Sequence, residues 1–464
     1  MQQTSIRTEI DEADVLDASG FAGHPKGLAP LFFTELWERF SYYGMRAILV
    51  LYMVATPAQG GLGFDTKHAT SLYGTYTMSV YLTALPGGLI ADHFLGARLA
   101  VLVGGIIIAC GHFTMVFQGM TPFYAGMVLI ACGTGFLKPN ISAMVGGLYR
   151  ENDPRRDSGF SIFYMGINVG AVLAPLAVGY LAQGESFKRF IAGVGLDPNT
   201  SWHWGFGAAG VGMLIGILVF MLFSKRFGKA GSRVKTRVES TIKAPATKLT
   251  SADRKRVIAI VIFFLFTMLF WAAYEQKGAS LNLYAKELVR TEVFGMRFPS
   301  SFLQSCTPLF VILLAPIFSI IWVRLGDRQP SSPAKFTFGL LFIGLAFLLL
   351  VPASYLTGFG KISPLWLVGL YFVEVVGEMC LSPVGLSTVT KLSPAKLVGI
   401  MMGVWFLASS FGSKLAGYFS GFFVANNPAG LMKLYGGISA GLLLSAITLA
   451  LLTPSIKKLM GTVK

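Results

Sequence analysis

The chain is poor in charged residues. Of its 464 residues, 13% are Asp, Glu, Lys or Arg and 54% are hydrophobic, with a mean hydropathy of +0.64. A soluble domain carries about 25% charged residues. Apolar runs of about eighteen residues or more, long enough to cross a bilayer, recur along almost the whole chain. The composition therefore indicates an integral membrane protein and argues against a soluble one.

Cysteine and histidine are also scarce. The four cysteines lie in or beside apolar segments and lack the paired spacing of a disulfide framework or a metal site: Cys110, Cys132, Cys306 and Cys380. The five histidines are scattered: His24, His68, His93, His112 and His203. The sequence has no G-x-S-x-G or H-E-x-x-H motif and nothing that resembles a channel selectivity filter. We therefore expect no enzyme, no metal and no cofactor.

The apolar runs predict twelve membrane spans. Their ranges are roughly 29–56, 68–91, 98–119, 122–147, 157–182, 202–224, 257–280, 300–324, 334–354, 363–388, 397–424 and 430–453. Short Gly/Asp/Arg turns follow both span 2 and span 8, which suggests two similar halves. We expect a tail at 1–28, a six-helix bundle at 29–224, a basic linker at 225–256, a second six-helix bundle at 257–453 and a tail at 454–464.

Basic residues are distributed unevenly around these spans. The tails and the even-numbered connections hold 25 Lys and Arg, and the odd-numbered connections hold 8. The positive-inside rule therefore predicts that both termini and the linker face the cytoplasm. The net charge of +16 is then a signal of orientation, and nucleic acid is not an expected partner. The acidic stretch TEIDEADVLDASG has no basic region before an apolar core, so no signal peptide is predicted there.

Ten ionisable residues lie within the predicted spans, five acids and five bases. They are Glu35, Glu38, Arg39, Arg46, Lys138, Glu275, Lys277, Glu374, Glu378 and Lys414. Each would cost about 2.5–3.5 kcal/mol at the centre of a helix facing lipid. Equal numbers of each sign suggest that they pair across helices or line an aqueous cavity. The alternatives are a set of structural ion pairs and, for Lys277 and Lys414, snorkelling or lining an entrance.

The stretch ELWERFSYYGMR in span 1 concentrates this pattern. Its polar residues are spaced by threes and fours, so they share one broad helical face: Glu35, Glu38, Arg39, Tyr42, Tyr43 and Arg46. Such a stripe on an otherwise lipid-compatible helix should face a cavity. Two acids beside one arginine suit a site at which a proton or an arriving anion changes the charge balance. The stripe therefore favours a proton-coupled site over a static scaffold.

ELWERFSYYG matches the E-x-x-E-R-F-x-Y-Y-G signature of the proton-dependent oligopeptide transporter family, a branch of the major facilitators. Further motifs match in order in both halves: FLKPN at 136–140, FYMGINVG at 163–170, FWAAYEQKGASLNLYA at 270–285, FLQSCTPLF at 302–310 and GEMCLSPVGLS at 377–387. The chain thus resembles a bacterial member along nearly its full length. The resemblance implies a major-facilitator fold in the inner membrane and proton-driven import of di- and tripeptides by alternating access, for which a monomer suffices.

The resemblance also implies roles for single residues. Arg39 and Lys138 would bind the peptide carboxylate, and Glu378 would bind the peptide amino group. Other residues would line the peptide cavity and its side-chain pockets: Tyr42, Tyr43, Tyr81, Asn168, Trp271, Gln304 and Trp405. Glu35 and Glu38 would carry the proton together with Arg39, and the pair Arg46 and Glu275 would close the outer side.

Two positions depart from the family pattern. Thr307 stands where the Q-S-x-N-P motif has an amide, so one contact to the peptide is altered. Gly74 stands where animal members have a proton-linked histidine, so coupling must use carboxylates. The linker is also too short for the two extra helices of many bacterial relatives. The alternative transported substrate is nitrate or another small anion, for which Glu378 would have no use.

Overall fold

The structure is a computed structural model that describes residues 17–150, 153–232, 250–293, 295–394 and 398–461. The predicted tails and linker therefore fall partly outside the described residues, at 1–16, 233–249 and 462–464. The α-helices in chain order are α1 Leu28–Val54, α2 Thr66–Leu82, α3 Ala84–Ile90, α4 Ala97–Thr114, α5 Met120–Gly146, α6 Arg156–Gln183, α7 Glu185–Gly193, α8 Ser201–Leu222, α9 Ser251–Tyr274, α10 Ser280–Leu288, α11 Cys306–Leu325, α12 Ser332–Leu348, α13 Leu350–Leu356, α14 Leu365–Leu392, α15 Val398–Ser420 and α16 Pro428–Met460.

These helices confirm the all-α membrane fold, because each predicted span coincides with one helix or with two consecutive ones. Within the described residues, nine helical stretches are long and apolar enough to cross a membrane. Helix α1 holds four charged residues at its centre. Span 7 differs most from the prediction, because the polar sequence EQKG forms a 3-10 turn at Glu275–Gly278 and α10 then continues the helix to Leu288.

The helices form two bundles of six spans. In the first bundle α1 packs against α6 and α8, and α4 packs against α5; in the second α12 packs against α14 and α16. The bundles meet mainly at two pairs of helices: α2 with α15, and α6 with α11. The first pair consists of spans 2 and 11, and the second of spans 8 and 5. Span 2 of the first half corresponds to span 8 of the second half, and span 5 corresponds to span 11. The contact between the halves is therefore pseudo-symmetric.

Small residues bring neighbouring helices close together. A β-carbon on Gly104 of α4 would lie 2.6 Å from the Gly133 carbonyl oxygen of α5, and one on Gly133 would lie 2.6 Å from the Gly104 carbonyl oxygen. Only glycine at both positions allows this backbone separation, as in other membrane helix pairs. The contact explains the glycine-rich sequences of spans 3 and 4.

The loops define two sides of the molecule. Residues 17 and 461 lie on one side, here called the terminal side, and the connection after α1 begins on the other, here called the far side. The far side also holds the short helix α7 and a β-hairpin that pairs Glu292–Val293 with Met296–Arg297. The cavity between the bundles ends differently toward the terminal side and toward the far side.

Candidate functional site

A cavity of about 1350 Å³ lies between the two bundles. It opens at the terminal side, because its lining includes Lys335, Lys391 and Lys457, which lie near the helix ends there. Sites for small molecules measure about 300–1,000 Å³. The cavity therefore has room for a short peptide together with water.

Most of the residues predicted from the sequence meet at this cavity. Twelve of the fourteen line it: Glu35, Arg39, Tyr43, Arg46, Tyr81, Lys138, Asn168, Trp271, Glu275, Gln304, Glu378 and Trp405. The other two, Glu38 and Tyr42, are buried beside them on α1. The helical spacing of the polar stripe accounts for this arrangement on α1. The residues from the second bundle reach the same cavity only through the packing of the halves.

The stripe on α1 forms a buried ionic triad. The Arg39 Nε lies 3.1 Å from Glu35 Oε1 and contacts Glu38 Oε2. Glu35 Oε2, Glu38 Oε1 and Arg39 Nη2 have no hydrogen-bond partner among the described residues. One guanidinium thus faces two carboxylates and keeps a free N–H group. The triad can accept a proton on a carboxylate, and Arg39 can bind an anion.

Lys138 brings a second cation to the same region. It lies on α5, and its Nζ is 4.2 Å from the centroid of the Tyr81 ring. The Arg39 guanidinium carbon is similarly placed, 5.2 Å from the centroid of the Tyr42 ring. Aromatic faces stabilise cations without neutralising them. Lys138 and Arg39 therefore both lie beside aromatic rings in the wall of the cavity.

The second bundle contributes the opposite charge. Glu378 on α14 accepts a hydrogen bond of 2.5 Å from the Tyr274 hydroxyl. The Nζ of Lys277 lies 3.1 Å from the centroid of the Tyr274 ring. Lys277 therefore lines the cavity in a buried position rather than snorkelling to a surface. Tyr274 holds Glu378 on one side of the cavity, opposite the cations of the first bundle.

A second ion pair lies at the end of the cavity toward the far side. Arg46 on α1 contacts the carboxylate of Glu275, and its Nε donates a hydrogen bond to the Tyr73 hydroxyl. A β-carbon on Gly278 would lie 1.7 Å from that hydroxyl oxygen. Glycine at 278 is therefore required for Tyr73 to reach the interrupted segment of span 7. Arg46, Tyr73 and Glu275 are buried together.

Four of the hydrogen bonds across the halves share one chemical pattern. Side chains of the second bundle donate to main-chain carbonyl oxygens of the first, and the four donor–acceptor pairs are Asn282 to Ala47 at 2.8 Å, Gln304 to Ala47 at 3.2 Å, Ser305 to Val172 at 2.7 Å and Ser410 to Met78 at 2.9 Å. The acceptors lie on α1, α6 and α2, and the donors lie on spans 7, 8 and 11. These four neutral hydrogen bonds are weak polar contacts, so they can separate without unfolding either bundle.

Comparison with known proteins identifies the family. The sequence profile of the POT family matches residues 98–244 and 234–435. The peptide transporter YePEPT of Yersinia enterocolitica is 37% identical, over 95% of this chain and 96% of its own length. The di-/tripeptide transporter of Lactococcus lactis subsp. cremoris is 35% identical, over 96% of this chain and 98% of its own. The chain belongs to the POT family.

A solved structure extends the match to three dimensions. A crystal structure of a peptide transporter POT mutant in complex with alafosfalin superposes on this POT-family chain with a TM-score of 0.86. It is 38% identical and covers 96% of this chain and 98% of its own. The expected major-facilitator fold, with twelve helices in two pseudo-symmetric bundles, is thereby confirmed.

Several residues of this POT-family site did not emerge from the sequence. Tyr73, Tyr274 and Asn282 make the contacts described above, and Trp322 and Lys335 pair at the open end, with the Lys335 Nζ 4.3 Å from the Trp322 ring centroid. Tyr274 and Asn282 lie inside the family motif at 270–285, so that motif could have indicated that they belong to the site. No sequence pattern indicated Tyr73, because a tyrosine in an apolar span is ordinarily a packing residue.

Proposed function

We propose that the protein is a proton-coupled symporter that imports di- and tripeptides by alternating access. The observation that carries the proposal is the division of charge across the cavity, with Arg39 and Lys138 on the first bundle and Glu378 on the second. Relatives named as peptide transporters support the same function. The relatives and solved structures are transporters, so the chain is a transporter and not an enzyme.

Peptide recognition follows from this charge division. A dipeptide is a zwitterion whose two charges are held a nearly fixed distance apart. Arg39 and Lys138 bind its carboxylate, while Glu378 binds its amino group. A small anion such as nitrate uses only the cations and gives the buried Glu378 no cationic group to bind, so that carboxylate serves no purpose in anion transport. Trp271 Nε1 and Thr307 Oγ1 have no hydrogen-bond partner among the described residues, so they are available to the peptide between these ends.

The cavity defines the state of the transport cycle. Arg46 and Glu275 close its far side, and its other end is open at the terminal side. The distribution of Lys and Arg assigns the terminal side to the cytoplasm. The structure then corresponds to an inward-open state in a bacterial inner membrane. The rocking of one bundle against the other, which a monomer can perform, would open the far side.

Proton coupling is assigned to the triad on α1. Protonation of Glu35 or Glu38 removes one of the two charges that engage Arg39, so the guanidinium can bind the peptide carboxylate. Loss of that proton toward the cytoplasm restores the competing carboxylate and releases the peptide. Membrane potential supplies about 2.3 kcal/mol per charge per 100 mV, which is about fiftyfold in concentration at about 1.4 kcal/mol per tenfold.

The test is uptake of labelled dialanine by proteoliposomes, with and without an inward-acid gradient. We expect the gradient to drive accumulation in the wild type. Glu38→Gln should lose accumulation but keep exchange of dialanine across the membrane. Glu292→Gln is the matched control, because it removes an exposed carboxylate of the far-side hairpin. Absence of dialanine movement in the wild type, with nitrate moving instead, would overturn the proposal.

A further inference from the structure

One carbonyl oxygen in the first bundle accepts two hydrogen bonds from the second. Asn282 Nδ2 lies 2.8 Å and Gln304 Nε2 lies 3.2 Å from the main-chain oxygen of Ala47. Ala47 follows Arg46, which forms the ion pair with Glu275. Two separate segments of the second bundle, α10 and the Ser300–Ser305 turn, thus meet α1 beside the pair that closes the far side.

The two amides differ in what else they reach. Asn282 is buried and does not line the cavity, whereas Gln304 is half-buried and does. Gln304 Oε1 accepts no hydrogen bond from the part of the chain that the structure describes, so it is available to a donor in the cavity. The donors that a peptide presents are its amide N–H and its ammonium group. Gln304 is therefore placed to contact the peptide and Ala47 together.

We propose that Gln304 couples occupation of the cavity to closure of the far side, an inference that rests on the proposed peptide transport. A peptide N–H group donates to Gln304 Oε1 while Gln304 Nε2 donates to the Ala47 carbonyl. The two hydrogen bonds strengthen each other through polarisation of the shared amide group. The contact also holds the side chain in the one orientation that reaches Ala47. A bound peptide thus favours the closed far side, as import requires.

Asn282 supplies the matched control. It donates to the same oxygen, so its loss weakens closure by a similar amount. It has no contact with the cavity, so its loss leaves the effect of the peptide intact. Gln304→Met and Asn282→Leu each replace an amide with an apolar side chain of similar size, which keeps the packing. Gln304→Leu is a second variant should the first prove unstable.

The experiment measures closure directly. Spin labels are attached at Ala58→Cys and Met296→Cys, exposed far-side positions of the two bundles, after replacement of the native cysteines Cys110, Cys132, Cys306 and Cys380. Distance distributions from double electron–electron resonance in lipid nanodiscs give the ratio of molecules with a closed far side to molecules with an open one, with and without dialanine. Dialanine binding is measured on the same samples by calorimetry.

In the wild type, dialanine should increase the closed-to-open ratio. Without dialanine, both variants should lower that ratio about three- to tenfold. This is the effect expected from the loss of one hydrogen bond. Asn282→Leu should keep the full dialanine-induced increase. Gln304→Met should lose the increase and bind dialanine about three- to tenfold more weakly.

Four results would overturn the proposal or its basis. Retention of the dialanine-induced increase in Gln304→Met, or its equal loss in Asn282→Leu, contradicts the role of Gln304. Binding of dialanine to the wild type without any change in the ratio also contradicts it. A wild type that binds no dialanine overturns the proposed function itself, and with it the coupling that rests on it.

Discussion

The guanidinium of Arg46 contacts the carboxylate of Glu275, although 229 positions separate them in the chain. Arg46 lies on the first span, and Glu275 begins the 3-10 turn that interrupts the seventh. Both side chains are buried, so each charge depends on the other for compensation. The contact therefore makes the packing of the two halves at this end of the cavity depend on the ionisation of both residues.

Glu275→Gln should weaken the proposed closure of the far side by Arg46 and Glu275. Among the described residues, the substitution leaves the buried charge of Arg46 with the Tyr73 hydroxyl as its hydrogen-bond partner. We expect this to destabilise the closed form by about 3–5 kcal/mol. We expect gradient-driven dialanine uptake to fall more than tenfold. The double variant Arg46→Gln, Glu275→Gln removes both charges and should recover part of the loss. Thermal unfolding of the wild type, Glu275→Gln, Arg46→Gln and the double variant forms a double-mutant cycle, and additive losses would contradict direct pairing.

Gly278→Ala should disrupt the same region by a steric route. The added β-carbon would lie 1.7 Å from the Tyr73 hydroxyl oxygen, so Tyr73 or the turn must move. We expect a lower unfolding temperature and a more open far side. Tyr73→Phe in the same protein removes that oxygen and should restore part of the unfolding temperature. If Tyr73→Phe instead adds its own loss to that of Gly278→Ala, the steric explanation is wrong.

Lys138→Gln should weaken binding of peptides that have a free carboxylate. Loss of one charge-assisted hydrogen bond is worth about 1.5–3 kcal/mol, or roughly 10- to 150-fold in affinity. Dialanine amide lacks the carboxylate, so its weaker binding should hardly change in the variant. Calorimetry with both ligands on both proteins isolates the interaction. Equal losses for dialanine and its amide would place Lys138 away from the carboxylate.

The terminal side carries a pH-dependent contact outside the membrane spans. Hydrogen bonds from Arg155 hold the pKa of Asp153 below its ordinary value of 3.8. Arg155 Nη1 in turn donates to the carbonyl oxygens of Asp17 and Gly23, at 3.1 and 2.6 Å. A lowered pKa means that the contact stabilises the fold above the ordinary value and is lost as pH falls through the folded one. The segment before α1 should therefore detach in acid.

Cleavage by an acid protease at Phe21, which is 72% exposed, reports this detachment. At a pH slightly above 3.8 we expect Asp153→Asn to be cut faster than the wild type, and well below that pH we expect equal rates. Asp157→Asn is the control, because it removes an exposed carboxylate nearby and leaves the Asp153–Arg155 contact in place. Equal cleavage of Asp153→Asn and the wild type at the higher pH would contradict the prediction.

Local patterns in the sequence determined a large part of this protein. Hydrophobic length specified the spans, because the bilayer sets how many apolar residues a helix needs. Spacing by threes and fours placed Glu35, Arg39 and Arg46 on one face of α1, because that periodicity is a property of a single helix. The family motifs added expectations about Lys138 and Glu378, and the cavity does bring both to its wall.

The tertiary structure alone decided which groups meet between helices that are distant in the chain. The contacts of Tyr274 with Glu378, of Tyr73 with Arg46, and of Gln304 and Asn282 with one carbonyl oxygen depend on the register between helices that are distant in the chain. No local periodicity encodes that register. The sequence could not indicate the main-chain oxygen of Ala47 as an acceptor, because every residue has such an oxygen. Only the packing of the helices selects the one that accepts these hydrogen bonds.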